Sequence, residues 1–413
     1  MTTSPFATDN PLDALTPDAL RRRTSLKWRA YAPDVLPLWV AEMDVELAPP
    51  VVAAVTEAMR SGDTGYDYGD TYAEALAQFA KRRWDWSFDP AGTRMVPDVM
   101  LGLMEILKVL TGPGDAVVVS TPVYPPFFGF TQNEGRRVVT APLTSDFRLD
   151  LDALDTAFAD ATGATLNGAG PGSGRRAVYL LCNPHNPTGT VHTRAELEGL
   201  AALARRHGVR IVSDEIHAPI TAPNVAYTPV VTVAGAENAI AVLSASKAWN
   251  LAGLKAAVAV GGPEAADDLR RIPEEVVHGV GHVSVIAHAA ALTQGTAWLD
   301  AVLRGVRRNK LLLADLLEEH LPQVRYEPTQ GTYLAWLDAS SVADDPYRFF
   351  LDRAKVALND GRHFGPGGAG HVRLNLATSQ EVLTEAVSRM GRAVRSASST
   401  PSASRVLPPV AAD

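Results

Sequence analysis

From Met95 onward the chain alternates short apolar runs with stretches of helical spacing. Residues 116–120, 137–140, 177–181, 209–213, 239–243 and 256–260 form runs of strand length. Between and beside them, residues 101–110, 151–158, 194–207 and 264–269 repeat apolar positions three and four apart, the spacing of one helix face. This alternation predicts an α/β fold, a sheet with helices on its faces. Upstream, Pro49 and Pro50 open a helical pattern at 51–60, a second runs over 73–84, and Gly65-Tyr66-Asp67-Tyr68-Gly69 between them reads as a loop. Downstream, the pattern predicts a long helical region from 273 to 320, a strand at 332–337, a helix at 345–355, a strand at 371–376 and a helix at 380–393. The expected division is an N-terminal arm with a small-domain segment (1–50), a large domain (51–285), a C-terminal small domain (286–394) and a disordered tail (395–413). Residues 161–174 are too rich in glycine to hold regular structure and are expected to form a flexible surface loop.

Composition narrows the function. At 413 residues the chain exceeds what one core usually serves, and 46% apolar residues can fill two. Thirty-eight Lys and Arg against 46 Asp and Glu give a net charge of -8, which argues against a nucleic-acid footprint and for small-molecule partners. The single cysteine, Cys182, excludes an internal disulfide and suits a reducing, cytoplasmic setting, where it reads as a small packed hydrophobe. No basic start followed by an apolar core marks a signal peptide, and no run of about 20 uncharged apolar residues marks a membrane span. A soluble protein without a metal centre is expected.

Chemistry concentrates where strand-like runs end. Lys247 follows the run 239–243 and lies among Ser244, Ser246, Gly253 and Lys255. An amine held near apolar walls and a second cation loses proton affinity, so it can attack a carbonyl and form a Schiff base. Pyridoxal phosphate supplies both an aldehyde and a phosphate for such a loop. Asp214 ends the run 209–213, at the sheet edge that presents groups to a ligand, and its carboxylate could pair with a pyridine nitrogen. As a bare pattern, an Asp at a strand end is more often a helix cap. Asn186, in Asn183-Pro184-His185-Asn186-Pro187-Thr188-Gly189, could offer its amide to a phenolate oxygen, and Tyr124, after the run 116–120, could stack on a planar ring.

Taken together, the Tyr124 loop, Asn-Pro-His-Asn-Pro-Thr-Gly, Ser-Asp-Glu-Ile-His (213–217), Ser-x-Ser-Lys with Asn-Leu-Ala-Gly-Leu (244–254) and Val-Arg-Leu-Asn (372–375) resemble fold-type-I pyridoxal-phosphate enzymes of the class I/II aminotransferase superfamily. The resemblance covers about residues 24–393. Ser25-x-Lys27-Trp28, Leu38 to Asp44, Pro122 to Phe127 and Asp214 to His217 resemble more narrowly the MalY/PatB branch of cystathionine β-lyases, or C-S lyases. The resemblance implies a large domain with a mixed, mostly parallel sheet flanked by helices, and a smaller α+β domain. It also implies roles. Lys247 matches the Schiff-base lysine, Asp214 the partner of the pyridine nitrogen, Asn186 the contact to the ring hydroxyl oxygen and Tyr124 the stacking residue. Ser244, Lys255 and the backbone N–H groups of Val99 and Met100 match phosphate contacts, the last two at a helix N-terminus. Tyr66 matches a tyrosine that reaches the neighbouring subunit's phosphate, so a homodimer with shared sites is implied. Arg373 matches the arginine that holds the substrate α-carboxylate, with Val40 and Ala41 beside the substrate.

Three positions depart from the pattern. Asp98 stands where relatives often have glycine, and its charge would disfavour a phosphate unless its side chain points away. His217 replaces the tyrosine of many aminotransferases, as this branch commonly does, and is expected in the pocket. Glu42 replaces an aspartate. The resemblance implies β-elimination on a cysteine S-conjugate, with an aminotransferase as the alternative. A pyridoxal-phosphate-binding regulator would need a basic DNA-binding domain, which the residues before Thr24 are too few to supply.

Overall fold

The structure is a computed structural model that describes residues 10–163 and 175–398. Its strands, in chain order, are β1 (Leu36–Pro37), β2 (Arg94–Val96), β3 (Ala116–Thr121), β4 (Arg137–Pro142), β5 (Ala177–Cys182), β6 (Arg210–Asp214), β7 (Ile240–Leu243), β8 (Ala257–Gly261), β9 (Leu334–Asp338), β10 (Val356–Ala357), β11 (Asn359–Asp360) and β12 (His371–Asn375). Seven of them form one sheet in the order β2-β8-β7-β6-β5-β3-β4. The neighbours from β4 to β7 run parallel, and β8 lies antiparallel to both β7 and β2.

All six residues of β3 and all six of β5 are buried, which is why these strands read as continuous apolar runs rather than alternating ones. The pleat still sorts their side chains. Val117, Val119, Val178 and Leu180 pack under the helix Val99–Leu110 through Leu103, Ile106 and Leu107. Val118, Tyr179 and Leu181 face the helices Leu151–Thr162 and Arg194–His207 through Leu154, Phe158, Leu197 and Leu200. Thr193 and Glu196 cap the second of these reciprocally, and Gly208, left-handed at φ 67°, ends it.

The smaller domain has a three-stranded antiparallel sheet in the order β11-β12-β9 and a parallel pair of β1 with β10. Leu36 and Leu38 pack there with Leu337, Leu374, Val387 and Met390, so the N-terminal segment joins residues near the other end of the chain. The helix Thr296–His320 serves both cores: Trp298 to Val306 pack in the large one, Leu313 to Leu317 in the small one. We propose a domain boundary within this helix in place of the division after residue 285.

Several expected elements shift. The helical region 273–320 divides into Glu274–His278, His282–Gln294 and Thr296–His320. Gly295 makes the last break: a Cβ there would lie 2.6 Å from both Ala291 O and Trp249 Nε1, and the indole donates to Gly295 O at 3.1 Å. The helix expected at 345–355 becomes Pro346–Phe349 followed by a wider π-turn, Phe350–Ala354, stopped by Lys355 at φ 56°. The helix Leu151–Thr162 takes in residues 161 and 162, and Gln380–Ser398 runs four residues past the expected boundary at 394. The remainder of the expected loop, residues 164–174, and the tail from 399 lie outside the described residues. Among those described, no helix is long and apolar enough to cross a membrane.

Candidate active site

Because β3, β5, β6 and β7 are parallel, the loops after them emerge at one sheet edge. The reversed β8 begins there, and β2 ends there. Tyr124, Asn186, Asp214, His217 and Lys247 therefore meet Lys255 and the start of the helix Val99–Leu110 around one cavity of about 230 Å³. Arg373, from β12, and the segment Trp39 to Ala41 close it from the smaller domain. Every residue expected at the site lines this cavity except Tyr66, which is 90% exposed.

Lys247 Nζ donates to Ala41 O at 3.1 Å. Burial lowers the ammonium's pKa to about 8, assisted by the Arg373 charge and opposed by Glu42 and Asp214. The cation that matters most is thus Arg373. Lys255, the second cation expected from the sequence, contributes less and is itself paired with Asp98 at 2.9 Å. The loop is braced from behind: Ala245 N–H donates to the Tyr72 hydroxyl (3.1 Å), which donates to His288 Nδ1 (2.9 Å), while Nε2–H donates to Leu254 O (2.8 Å). Burial holds His288 down to about 4, so this neutral tautomer persists at physiological pH.

Asp214 accepts from Ile216 N–H at 3.1 Å and has no ion pair among the described residues. Burial raises its carboxyl to about 6, so a cation beside it would be strongly favoured. His217 is driven down to about 3 by burial and then by the charges of Lys247 and Arg373, and its buried Nδ1 has no partner among the described residues. Asn186 Oδ1 accepts from Arg373 Nη1 at 2.8 Å, which leaves its amide hydrogens as what it can offer a ligand.

The segment at 39–44 is held by groups whose sequence spacing hides their pairing. Lys27 Nζ and the Trp28 indole donate to the two oxygens of Asp44, each at 2.8 Å. Asn375 Nδ2 donates to Val40 O (2.7 Å) and Glu42 O (2.6 Å), and Tyr333 donates to Ala41 O (3.1 Å). Asn250, left-handed at φ 58°, receives Met43 N–H at 2.8 Å and donates back to Met43 O at 3.1 Å, fastening this segment to the Lys247 loop. Lys27 and Asp44 are each only 1% exposed. Asp44→Ala would strand a buried ammonium and should lower unfolding free energy by about 3–5 kcal/mol, read by urea denaturation. A loss under about 1 kcal/mol would show the pair to be solvated.

At the opposite end, Val99 and Met100 open a helix whose first N–H groups have no intrahelical acceptor. The Asp98 side chain is turned onto its own helix, accepting from Leu101 N–H at 2.9 Å, and onto Lys255. Ser244 Oγ donates to Ala256 O at 2.7 Å and accepts from Ser246 N–H at 3.1 Å, so its hydroxyl hydrogen is committed to the backbone.

Residues 33–390 match the family described as aminotransferase class I and II. The chain belongs to that family. It is 55% identical over 403 residues, 94% of this chain and 99% of the other, to a Mycobacterium leprae protein named "Putative cystathionine beta-lyase". It is 34% identical to a cystathionine beta-lyase of Corynebacterium glutamicum, covering 90% of this chain and 97% of that one. Among solved structures, a pyridoxal-phosphate-bound C-S lyase from Staphylococcus hominis superposes with a TM-score of 0.81 at 26% identity, covering 94% and 98% of the two chains. The sheet and smaller domain are the fold-type-I architecture that the motifs imply for this aminotransferase family.

The sequence reading missed Asn359, Asn375 and Tyr333, which hold Arg373 or the 39–42 segment, and gave no role to Ser246, which lines the cavity. Asn375 and Tyr333 were visible within apolar runs, without any indication of what they touch.

Proposed function

We propose that this protein is a pyridoxal-phosphate-dependent C-S β-lyase, cleaving cystathionine or another cysteine S-conjugate to a thiol, pyruvate and ammonia. The observation that carries the chemistry is the Lys247 amine, brought to about pKa 8 chiefly by its burial, with Arg373 lowering it further and Asp214 opposing. Relatives named as cystathionine beta-lyases support elimination over transamination.

The residues present fit the cofactor. Asp214 is buried and has no ion pair among the described residues, which suits a partner for a protonated ring nitrogen, and the N–H groups of Val99 and Met100, without intrahelical acceptors, suit a phosphate. Lys255 and Ser246 would join them, with Ser244 acting chiefly as a brace. Asn186 would donate to the ring's phenolate oxygen, and Tyr124 would cover one ring face. When bound, pyridoxal phosphate supplies an aldehyde that holds the substrate amine and a ring that draws electron density from Cα.

The protein's own groups do the rest. Arg373 grips the α-carboxylate and so fixes which Cα bond faces Lys247. The neutral Lys247 amine removes the Cα proton, and expulsion of the β-thiolate then completes elimination. Asp214 would offer its negative charge to the ring nitrogen. His217, neutral at the cavity wall, adds no competing cation. An aminotransferase would use the same base and carboxylate grip, so the products decide. Cystathionine should yield homocysteine, pyruvate and ammonia in equal amounts, measured by thiol titration and coupled assays. A 2-oxo acid retaining the sulfur, with no free thiol, would overturn the lyase reading.

We also propose a homodimer with shared sites, acting in the cytoplasm. Tyr66, at 90% exposure, is outside its own cavity, on a loop bridged to Gly281 and held by His282 Nδ1 on Asp67 at 2.9 Å. It is free to reach a partner's phosphate. A monomer by sedimentation at micromolar concentration, with full activity, would contradict this, as would recovery from cells in the membrane fraction.

A further inference from the structure

Arg373 is 3% exposed, yet every acceptor around it is neutral. Nη1 donates to Asn186 Oδ1 at 2.8 Å and Nη2 to Trp39 O at 3.1 Å, and the guanidinium carbon lies 5.1 Å from the Phe364 ring centroid. Among the described residues, Nε has no partner and no carboxylate pairs with this arginine. A buried cation left without a counter-charge is costly unless something arrives to supply one.

Asn359 completes the set. It stands directly across from Arg373 in the β11–β12 register, so the two side chains are neighbours on one sheet face, and it lines the cavity. One orientation of its amide satisfies both neighbours: the oxygen accepts from Arg373 Nη2 at 2.7 Å, and the nitrogen donates to Trp39 O at 3.3 Å. The next residue, Asp360, does carry a carboxylate, but Arg362 takes it through Nε at 3.0 Å and Nη2 at 2.6 Å. Alternation along β11 points that charge away from the cavity. The strand thus sets a neutral acceptor toward Arg373 and a charged one elsewhere.

We propose that Asn359 is the positioning residue that presents Arg373 to the substrate carboxylate, and that its neutrality is the property that matters. An amide oxygen steadies the guanidinium fork without neutralising it. A carboxylate at the same place would form a charge-assisted pair with Nη2 and compete with the substrate for the same donors. The inference rests on Arg373 binding the carboxylate, so its test includes a variant that probes that reading separately.

The experiment compares Asn359→Asp, Asn359→Leu, Asn359→Ser and Arg373→Gln with the wild-type holoenzyme. It reads kcat and KM on cystathionine, and by calorimetry the Kd of 3-(methylthio)propanoate, a carboxylate without the α-amine. Asn359→Asp should raise both KM and Kd about thirtyfold or more, with the loss falling on KM rather than kcat. Asn359→Leu, which removes the acceptor without adding charge, should raise them about three- to tenfold, and Asn359→Ser should recover part of that. Equal effects of Asp and Leu would overturn the proposal, since a structural hydrogen bond alone would then explain both. So would wild-type values in Asn359→Leu should the aspartate variant fail to fold. If Arg373→Gln weakens binding while the Asn359 variants do not, only the role of Asn359 falls. If Arg373→Gln leaves KM and Kd unchanged, the carboxylate reading falls and takes this one with it.

Discussion

Lys247→Ala should leave a folded protein whose kcat on cystathionine is lower by roughly 10⁴, the upper range for losing a positioned base, because the same amine is also the nucleophile for the cofactor. Folding should survive, since the side chain makes one hydrogen bond, to Ala41 O at 3.1 Å, and the loop is braced independently through Ala245, Tyr72 and His288. Borohydride reduction of the wild type should fix the cofactor to Lys247, found by mass spectrometry of peptides, and should fix none in the variant. Recovery on Lys255 would contradict the assignment. The wild-type apoprotein adds a second readout. Burial depresses the Lys247 ammonium to about 8, so the attacking amine is neutral above that pH, and cofactor capture should quicken with a midpoint near pH 8. A rate still climbing beyond about pH 10, where an unperturbed lysine titrates, would show an amine that the site does not tune.

Much of this was legible because of where parallel strands put their ends. Strands buried on both faces, such as β3 and β5, write unbroken apolar runs, and the polar residues after each run are by construction at the ligand edge. Tyr124, Asn186, Asp214 and Lys247 could thus be picked out one loop at a time. What the sequence concealed were relations across distance. Lys27-Trp28 and Asp44 are recognisable motif residues, yet nothing in a spacing of 17 says that one carboxylate joins them. Lys255, eight positions from Lys247, looked like the cation that tunes it, whereas Arg373 comes from another domain and acts more strongly. Asn359 lies on a strand of two residues, too short to leave a periodicity. The helix breaks failed for a local reason of the same kind: Gly295 is forced by the approach of Trp249, which no helical pattern records.

The measurement that bears most directly on the lyase reading is turnover on cystathionine with no 2-oxo acid present, following thiol and pyruvate against enzyme concentration. In elimination the product leaves as the thiol and, after hydrolysis, as pyruvate and ammonia, so Lys247 is restored in each cycle and needs no second substrate. At a kcat of about 1–10 per second, within the common range for enzymes, hundreds of equivalents should appear in minutes, linearly. The expected result is therefore sustained release of both products from fresh enzyme, unaffected by added 2-oxoglutarate. Conversion that halts at one equivalent and resumes only when 2-oxoglutarate or pyruvate is supplied would contradict the lyase account and identify an aminotransferase.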